Sequence, residues 1–318
     1  MQLLSTSVYL PPSQLNDAAD NMWAQRAVAL VDDHPANMAA RALTNALASA
    51  GVEASELALV VYCGRARDYL PGWSVANEVM HSVGASRRCV GLDLAMGCAT
   101  LPAALEVAHG WLATPGRRYA AIIDAERWNE AIDRTDPASQ RMWAYGDGAG
   151  AVVVASDASN RTGFARYIAS AFAGRASNNA FLRPEYGGTR RPYAEHAEQQ
   201  LRLTLDGTLA VDVFSTYTEL YEAALADLAA HAEFSPPQHV VCTQLSPAWV
   251  TRMISRFHTP RPRSVVVTGN GAGHVGGVDL LLGLDSLVRR GDAQGHVLLA
   301  GTAPFVTALA LLRLTAAG

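Results

Sequence analysis

The run Leu92-Asp93-Leu94-Ala95-Met96-Gly97-Cys98-Ala99-Thr100 sets the architecture of this chain. Cys89 to Leu94 is apolar and reads as a strand, Gly97-Cys98 as a tight turn, and the small-residue segment Ala99 to Leu112 as a helix that starts at once. A thiol placed there looks along the helix axis from its N-terminal end. The macrodipole and the unpaired backbone N–H groups of that end favour the thiolate, the nucleophilic form. Taken alone, the turn leaves two readings open: a nucleophile, or the small buried hydrophobe that free cysteines commonly are.

The rest of the composition bounds the answer. The chain has 318 residues, half of them hydrophobic and 17% charged, enough for one large or two medium domains with an ample core. A net charge of −4 gives no reason to expect nucleic acid or an anionic membrane as partner. Met1 to Leu10 has no basic n-region, so no signal peptide is expected, and no apolar run reaches membrane-spanning length. Cys63, Cys89, Cys98 and Cys242 lie far apart with no CxxC pair. That argues against a zinc site or a disulfide scaffold and suits a reducing cytoplasm.

Apolar, β-branched runs alternate with alanine-rich helical segments along the whole chain. Met38 to Ala50 and Ser74 to Val83 read as helices, and Leu57 to Tyr62 and Ala120 to Ile123 as strands. Ala149 to Ala155 reads as a strand entered through the turn Tyr145-Gly146-Asp147-Gly148-Ala149-Gly150. In the second half, Asp212 to Ala230, Ala248 to Phe257 and Val278 to Arg289 read as helices. Ser246 is the expected N-cap of the second of these, with Pro247 at its first position. His239 to Cys242, Ser264 to Val267, His296 to Ala300 and Ala308 to Arg313 read as strands. Such alternation predicts a layered α/β architecture. The polar stretch Gly174 to Arg202 reads as the join between the halves plus a surface insertion.

The strand–Cys98–helix unit, followed about fifty residues later by Tyr145-Gly146-Asp147-Gly148-Ala149-Gly150-Ala151-Val152, resembles the thiolase superfamily, and within it β-ketoacyl-ACP synthase III. That family ends its N-terminal half with a Phe-Gly-Asp-Gly-Ala-Gly-Ala run and sets its nucleophile in an Ala-Cys-Ala/Ser-Gly turn. Ser7-Val8-Tyr9-Leu10-Pro11 is similar to the family's opening strand. Ala131 to Pro137 resembles the loop before its glycine run, and Val288-Arg289-Arg290-Gly291 the end of its C-terminal helix. The resemblance implies an α/β, thiolase-like fold in which two similar βαβαβ halves form a five-layered αβαβα core. Residues 1–165 would be the half carrying the nucleophilic Cys98, and 166–318 the half carrying a catalytic His. It also implies a homodimer, with the nucleophile strand near the two-fold axis, and a CoA or acyl-carrier-protein thioester as substrate rather than a bound cofactor or metal.

The chain departs from the family at two places. The condensing enzymes hold a malonyl carbonyl with a His, in a His-Gln-Ala-Asn run, and an Asn, in a Gly-Asn run. Here the first run reads Cys242-Thr243-Gln244-Leu245-Ser246-Pro247, which puts Thr243 at the His position. The second reads Gly269-Asn270-Gly271-Ala272-Gly273-His274-Val275-Gly276-Gly277, and counting back from Gly291 puts His274, not Asn270, at the Asn position. The Gly-His-Val run also resembles the Gly-His-Pro segment of thiolases, but Gly301-Thr302-Ala303-Pro304-Phe305 lacks their second cysteine. A thiolate can still take an acyl group, with the Cys98 and Ala303 N–H groups as the expected oxyanion hole and an imidazole as proton acceptor.

Cys98, His274 and Thr243 are therefore the expected catalytic residues, with Leu70, Cys242, Asn270 and Glu126 as possible substrate-pocket residues. Leu70, before Pro71, matches the residue that in the family crosses the dimer interface. Glu126 reads equally as a base or as a satisfied buried carboxylate, and His274 as a base or as a partner of a nearby carbonyl. The glycines around Asp147 match no P-loop or dinucleotide fingerprint and read as tight turns behind the nucleophile. Trp23 and Arg26 stand where CoA could stack and pair, although the family's Thr-Gly-Ile-Arg segment is missing; Trp128 and Trp143 read as core. The expected activity is a cytoplasmic, Cys-dependent acyltransferase acting on a hydroxyl or amine acceptor in specialised metabolism. The alternatives are a carbon–carbon condensing enzyme and a non-catalytic partner subunit of a paralogous synthase.

Overall fold

The computed structural model of the chain describes residues 1–15, 22–69, 72–129, 131–132, 134, 142, 144–184, 203–205, 210–257, 262–291 and 293–315. In chain order the first half contains β1 (Gln2–Tyr9), β2 (Ser13–Leu15), β3 (Gln25–Ala27), α1 (Pro35–Ala50), β4 (Leu57–Tyr62), α2 (Val75–Val83), β5 (Val90–Asp93), α3 (Thr100–Leu112), β6 (Tyr119–Glu126) and β7 (Gly148–Ala155). The second contains β8 (Ala165–Gly174), β9 (Leu182–Pro184), β10 (Leu203–Leu205), α4 (Ala210–Ala229), β11 (His239–Cys242), α5 (Pro247–Phe257) and β12 (Ser264–Val266). It ends with α6 (Gly269–Ala272), α7 (Val278–Arg289), β13 (His296–Ala303) and β14 (Val306–Leu314).

Two five-stranded arrays carry the fold, and they repeat one topology. The first runs β5-β4-β6-β7-β1 and the second β12-β11-β13-β14-β8. In each, the three strands at the far side are parallel and the last two pair antiparallel. The arrays meet through a seam of two residue pairs, Gln2 with Arg166 and Leu3 with Ala165. Helix α3 touches β4 and β6 on one side and β8, β13 and β14 on the other; α7 likewise touches β1, β6 and β7 and then β11, β12 and β13. These two helices form the middle layer. Helix α1 covers the outer face of the first array, packed on β1, β6 and β7, and α4 covers that of the second on β8 and β14. The result is a five-layered α/β/α/β/α thiolase-like architecture.

The local chemistry explains the elements. Helix α1 buries Met38, Ala39, Ala42, Leu43, Ala46 and Leu47, a stripe of helical period, and stops at Gly51 in the left-handed region (φ +58°). The Ser74 hydroxyl caps α2 by accepting the Asn77 N–H, and Ser246 caps α5 by accepting the Trp249 N–H at 3.1 Å. Strands β6 and β7 are buried throughout because helices cover both faces. Asp147 ties the glycine run down: its carboxylate accepts the N–H groups of Trp128 (2.6 Å), Ala29 (2.8 Å) and Asn129 (3.0 Å). Strand β8 has no counterpart in the sequence reading, since Ala-Arg-Tyr-Ile-Ala-Ser-Ala-Phe-Ala is too rich in alanine to show an alternating pattern. Within the stretch expected as join and insertion, Leu182–Pro184 pairs with Leu203–Leu205, while 185–202 lie outside the described residues.

Gly150 on β7 lets α7 settle on the first array, because a Cβ there would lie 2.7 Å from Leu281 Cβ and 2.9 Å from Leu281 Cδ1. Gly150→Ala must therefore displace the helix or the strand. The expected loss of stability is about 1–3 kcal/mol, read as a lowered midpoint in urea denaturation. An unchanged midpoint would show that the contact relaxes without cost.

Candidate active site

The turn before α3 is built to present a thiol. Gly97 takes φ +61°, a left-handed conformation that a side chain resists. The Thr100 hydroxyl donates to the Gly97 carbonyl at 2.7 Å and accepts the Met96 N–H at 2.9 Å, clamping the turn from inside. Ala99 occupies the N-cap position, so the helix begins at Thr100, one residue later than the sequence predicts. Cys98 is left 8% exposed. The β13–β14 hairpin closes on the turn from the other side. Gly301 is needed there because a Cβ would lie 2.7 Å from Ala99 Cα and 3.1 Å from the Cys98 carbonyl oxygen. Ala303 packs with Ala99, Val306 and Ala308 in the same small cluster.

His274 arrives from the equivalent position of the second half, in the loop between α6 and α7. Its N–H donates to the Ala144 carbonyl at 2.9 Å and its carbonyl accepts the Gly146 N–H at 2.9 Å, so the glycine run holds it like a strand partner. The Tyr145 ring stands edge-on to the imidazole, 4.6 Å between centroids. Its Nε2 lies 3.5 Å from Cys98 Sγ, and its Nδ1 lies 2.5 Å from Asp279 Oδ2. Asp279, fully buried in the first turn of α7, also accepts the Gln244 N–H at 2.6 Å and the Val275 N–H at 2.8 Å. Burial by itself would favour the neutral ring. The Asp279 carboxylate and the Cys98 sulfur outweigh it and hold His274 well above the usual imidazole range. Cys98, His274 and Asp279 thus lie in one continuous row, sulfur to imidazole to carboxylate.

Asp279 was not singled out from the sequence. An acidic residue in a helix's first turn ordinarily serves the helix dipole in solvent. The available signal was its setting: a carboxylate five residues after His274, followed directly by Leu280-Leu281-Leu282.

The other expected residues differ in burial and in partners. Thr243 is fully buried at the end of β11, its N–H donating to the Ala300 carbonyl at 3.1 Å and its hydroxyl without a partner among the described residues. Cys242 is sealed in the core below it, where burial, and then the Asp279 charge, push its thiol up to about 12. Glu126 is fully buried at the end of β6 and accepts the Arg65 and Ala66 N–H groups at 3.1 and 3.2 Å. Asn270 is exposed on α6. Leu70 lies outside the described residues, as does Trp143. Trp23 is buried against Gly269 and donates its indole N–H to the Gln244 carbonyl at 2.5 Å, so its face is not open for stacking. Arg26 donates to Asn129 Oδ1 at 2.8 Å, and Trp128 is core.

Among the described residues no group of three or more His, Cys, Asp or Glu side chains could hold a metal ion, and no helix is long and apolar enough to cross a membrane.

Comparisons with known proteins bear on the fold and on the segment around Cys98. A family model described as 3-oxoacyl-(acyl-carrier-protein) synthase III matches residues 92–171. Curated relatives named β-ketoacyl-acyl-carrier-protein synthase III include one from Sulfurovum sp., 28% identical over 147 residues, 46% of this chain and 42% of the relative. Another, from Pectobacterium atrosepticum, is 31% identical over 131 residues, 41% of this chain and 40% of the relative. The chain spans about half the length of the curated relatives it matches, 42%, 52% and 48% in three of them. Over its whole length it superimposes on solved structures. A variant of OleA from Xanthomonas campestris gives a TM-score of 0.83 at 17% identity, covering 98% of this chain and 96% of that one. The priming β-ketosynthase of a polyketide biosynthetic pathway gives 0.83 at 23% identity, covering 99% and 97%. The chain thus has the fold of these structures and, over residues 92–171, which include the Cys98 turn, is similar to the β-ketoacyl-ACP synthase III family.

Proposed function

We propose that the chain is a Cys-dependent acyltransferase that loads an acyl group on Cys98 and passes it to a hydroxyl or amine acceptor. The observation that carries this reading is the row in which His274 faces Cys98 through Nε2 and is held by Asp279 through Nδ1. An imidazole oriented by a buried carboxylate is a proton acceptor, the equipment needed to activate an O–H or N–H group. Thr243, where the condensing enzymes place a His, offers a hydroxyl that cannot become cationic. The two-donor clamp that stabilises an enolate after decarboxylation is correspondingly weak.

The steps balance with these groups alone. The Cys98 thiolate attacks the thioester carbonyl of an acyl-CoA or acyl-carrier-protein donor, and the Cys98 and Ala303 N–H groups serve as oxyanion donors. The carbon–sulfur bond to the donor breaks, and the departing thiolate takes the proton from His274 Nε2. The neutral imidazole, its Nδ1–H still on Asp279, then accepts the acceptor's proton as that oxygen or nitrogen attacks the acyl carbonyl. Cys98 leaves as the thiolate and the imidazolium is restored. Retention of a complete row speaks against a scaffold subunit, which has no use for a thiol beside an oriented imidazole. Four unpaired cysteines suit a reducing cytoplasm, and the lost malonyl clamp suits specialised rather than housekeeping metabolism.

Intact-mass spectrometry after incubation with a panel of acyl thioesters is expected to show one added acyl mass, abolished in Cys98→Ala and retained in Cys242→Ala. The reverse pattern would move the nucleophile to Cys242. His274→Ala is expected to slow transfer to the acceptor by about 10²- to 10⁴-fold. Release of carbon dioxide from malonyl-ACP at several turnovers per minute, with a β-ketoacyl product, would replace the acyltransferase reading by the condensing one.

Asp279→Asn removes the charge that lifts His274, and with it the cation that faces the Cys98 sulfur at 3.5 Å. Iodoacetamide alkylation of Cys98 at pH 6 is expected to slow by about tenfold or more. Equal rates at pH 6 would remove Asp279 from the row.

Strand β5, which leads into Cys98, is the outer strand of its array and, among the described residues, pairs only with β4. Val90 on it is 39% exposed. A second copy of the chain paired across this edge is the expected cover. Light scattering at micromolar concentration should give twice the mass of the chain; a monodisperse monomer would contradict the dimer.

A further inference from the structure

Beneath the Cys98–His274–Asp279 row lies a second pair of acids that the proposed steps do not use. Asp124 and Glu126 sit two residues apart on β6, so they leave the strand on the same face. Both are fully buried. They lie against the loop that carries His274: a Cβ on Gly277 would be 2.3 Å from Asp124 Oδ2, and one on Gly276 would be 2.9 Å from Glu126 Oε1. Glu126 has two backbone donors, the N–H groups of Arg65 and Ala66. Asp124 has none: neither of its carboxyl oxygens finds a hydrogen-bond partner among the described residues.

An ionised carboxylate with no donor in a dry interior costs several kcal/mol, so a group so placed takes up a proton instead. The surroundings reinforce this. Asp124 feels Glu126 on its own strand, Asp279 on α7 and Cys98 before α3, all anionic or able to become so. Tyr62 and Cys63, at the end of β4, feel the charges of both Asp124 and Glu126. Tyr145, beside His274, is neutral. The cations nearby are His274, already engaged by Asp279, and Arg65, whose charge acts on Glu126 and whose guanidinium lies over the Trp128 ring. If Asp124 and Glu126 were both ionised, three carboxylates and a thiolate would face a single buried imidazolium.

We infer that Asp124 is held as the neutral acid, its proton kept within the Asp124–Glu126 pair, and that this keeps a further fixed negative charge out of the interior around His274. Asp124 is then a positioning residue for charge: a fixed negative charge in its place would compete with the Cys98 sulfur for the single buried imidazolium. Burial, with the charges of Glu126, Cys98 and Asp279, lifts Asp124 well above the carboxylate range, and burial lifts Glu126 to about 7 against the pull of Arg65 and the two N–H donors. Glu126 is thus the member whose charge changes near neutrality. The inference rests on the reading of Cys98 as the nucleophile only in its consequence for the reactivity of that sulfur.

Two measurements on the intact protein test it. Isotope-edited infrared spectroscopy with carboxyl-¹³C aspartate at neutral pH should show a protonated-carboxyl C=O band that shifts with the label and vanishes in Asp124→Asn. The pH profile of iodoacetamide alkylation of Cys98 should keep its inflection in Asp124→Asn, since Asn replaces a neutral acid, whereas Glu126→Gln should abolish a step near neutrality. Absence of a labelled aspartate band, or a downward move of the inflection by about one pH unit (tenfold in rate) in Asp124→Asn, would show a charged Asp124 and overturn the proposal. If Asp124→Asn does not fold, Asp124→Ser serves as the variant for both readouts and the wild-type band still decides. A Cys98 that resists alkylation at every pH would refute the nucleophile reading instead, and the infrared band would judge Asp124 separately.

Discussion

One carboxylate, that of Asp279, joins the loop just before its own helix to the end of β11, two pieces of chain that the sequence keeps apart. It takes the imidazole of His274, the N–H of Val275 in the same loop, and the N–H of Gln244 at the end of β11. With four lone-pair sites and three donors it is nearly saturated, the condition under which a fully buried carboxylate is tolerable. Removing it would leave an imidazole and two amides unpaired in the interior, a change of the class that costs about 3–5 kcal/mol. The same contact fixes which ring nitrogen faces the sulfur. Packing and proton chemistry therefore share a single group, and the orientation of His274 is as rigid as the start of α7.

That rigidity depends on how closely the middle layer fits. Helices α3 and α7 lie between two five-stranded arrays, and both active loops are the entries to these helices. Cys98 precedes α3 after the outer strand of the first array, and His274 precedes α7 after the outer strand of the second. The repeated topology thus brings a thiol and an imidazole to one point from equivalent positions. Small residues permit the approach: Gly301 against Ala99, Gly97 against Ala303, Gly150 against Leu281. A methyl group at any of these would separate elements whose side chains must meet within a hydrogen-bond length.

Much of this was legible beforehand, because it lies in local pattern. Leu57–Tyr62, His239–Cys242 and Val278–Arg289 have the same bounds in the structure as in the sequence reading, and the glycine run, the Ser246 cap and the Cys98 turn each announce a backbone conformation. Strand β8 was hidden because its alanines carry no contrast between its faces, and its partners are β14 at the far end of the chain and the first residues of β1. Asp279 and Asp124 were hidden for a different reason. A carboxylate's meaning depends on whether water reaches it, and burial is a property of the assembled layers. Neither helix periodicity nor strand alternation marks Asp279 as facing His274, or Asp124 as lacking any donor.

The two buried acids differ in one respect that decides their chemistry. Asp279 collects donors from three backbone and ring N–H groups and can bear its charge beside an imidazolium, whereas Asp124 lies against the Gly277 backbone with no donor among the described residues. The charge that the core can hold is limited by the number of donors it provides, and here those donors are spent on Asp279 and Glu126. On the proposed reading, the sulfur of Cys98 faces the His274 imidazole on one side and an unsupported carboxyl, held neutral, on the other. The division of roles among these buried groups then follows from how the backbone N–H groups around the entries to α3 and α7 are shared.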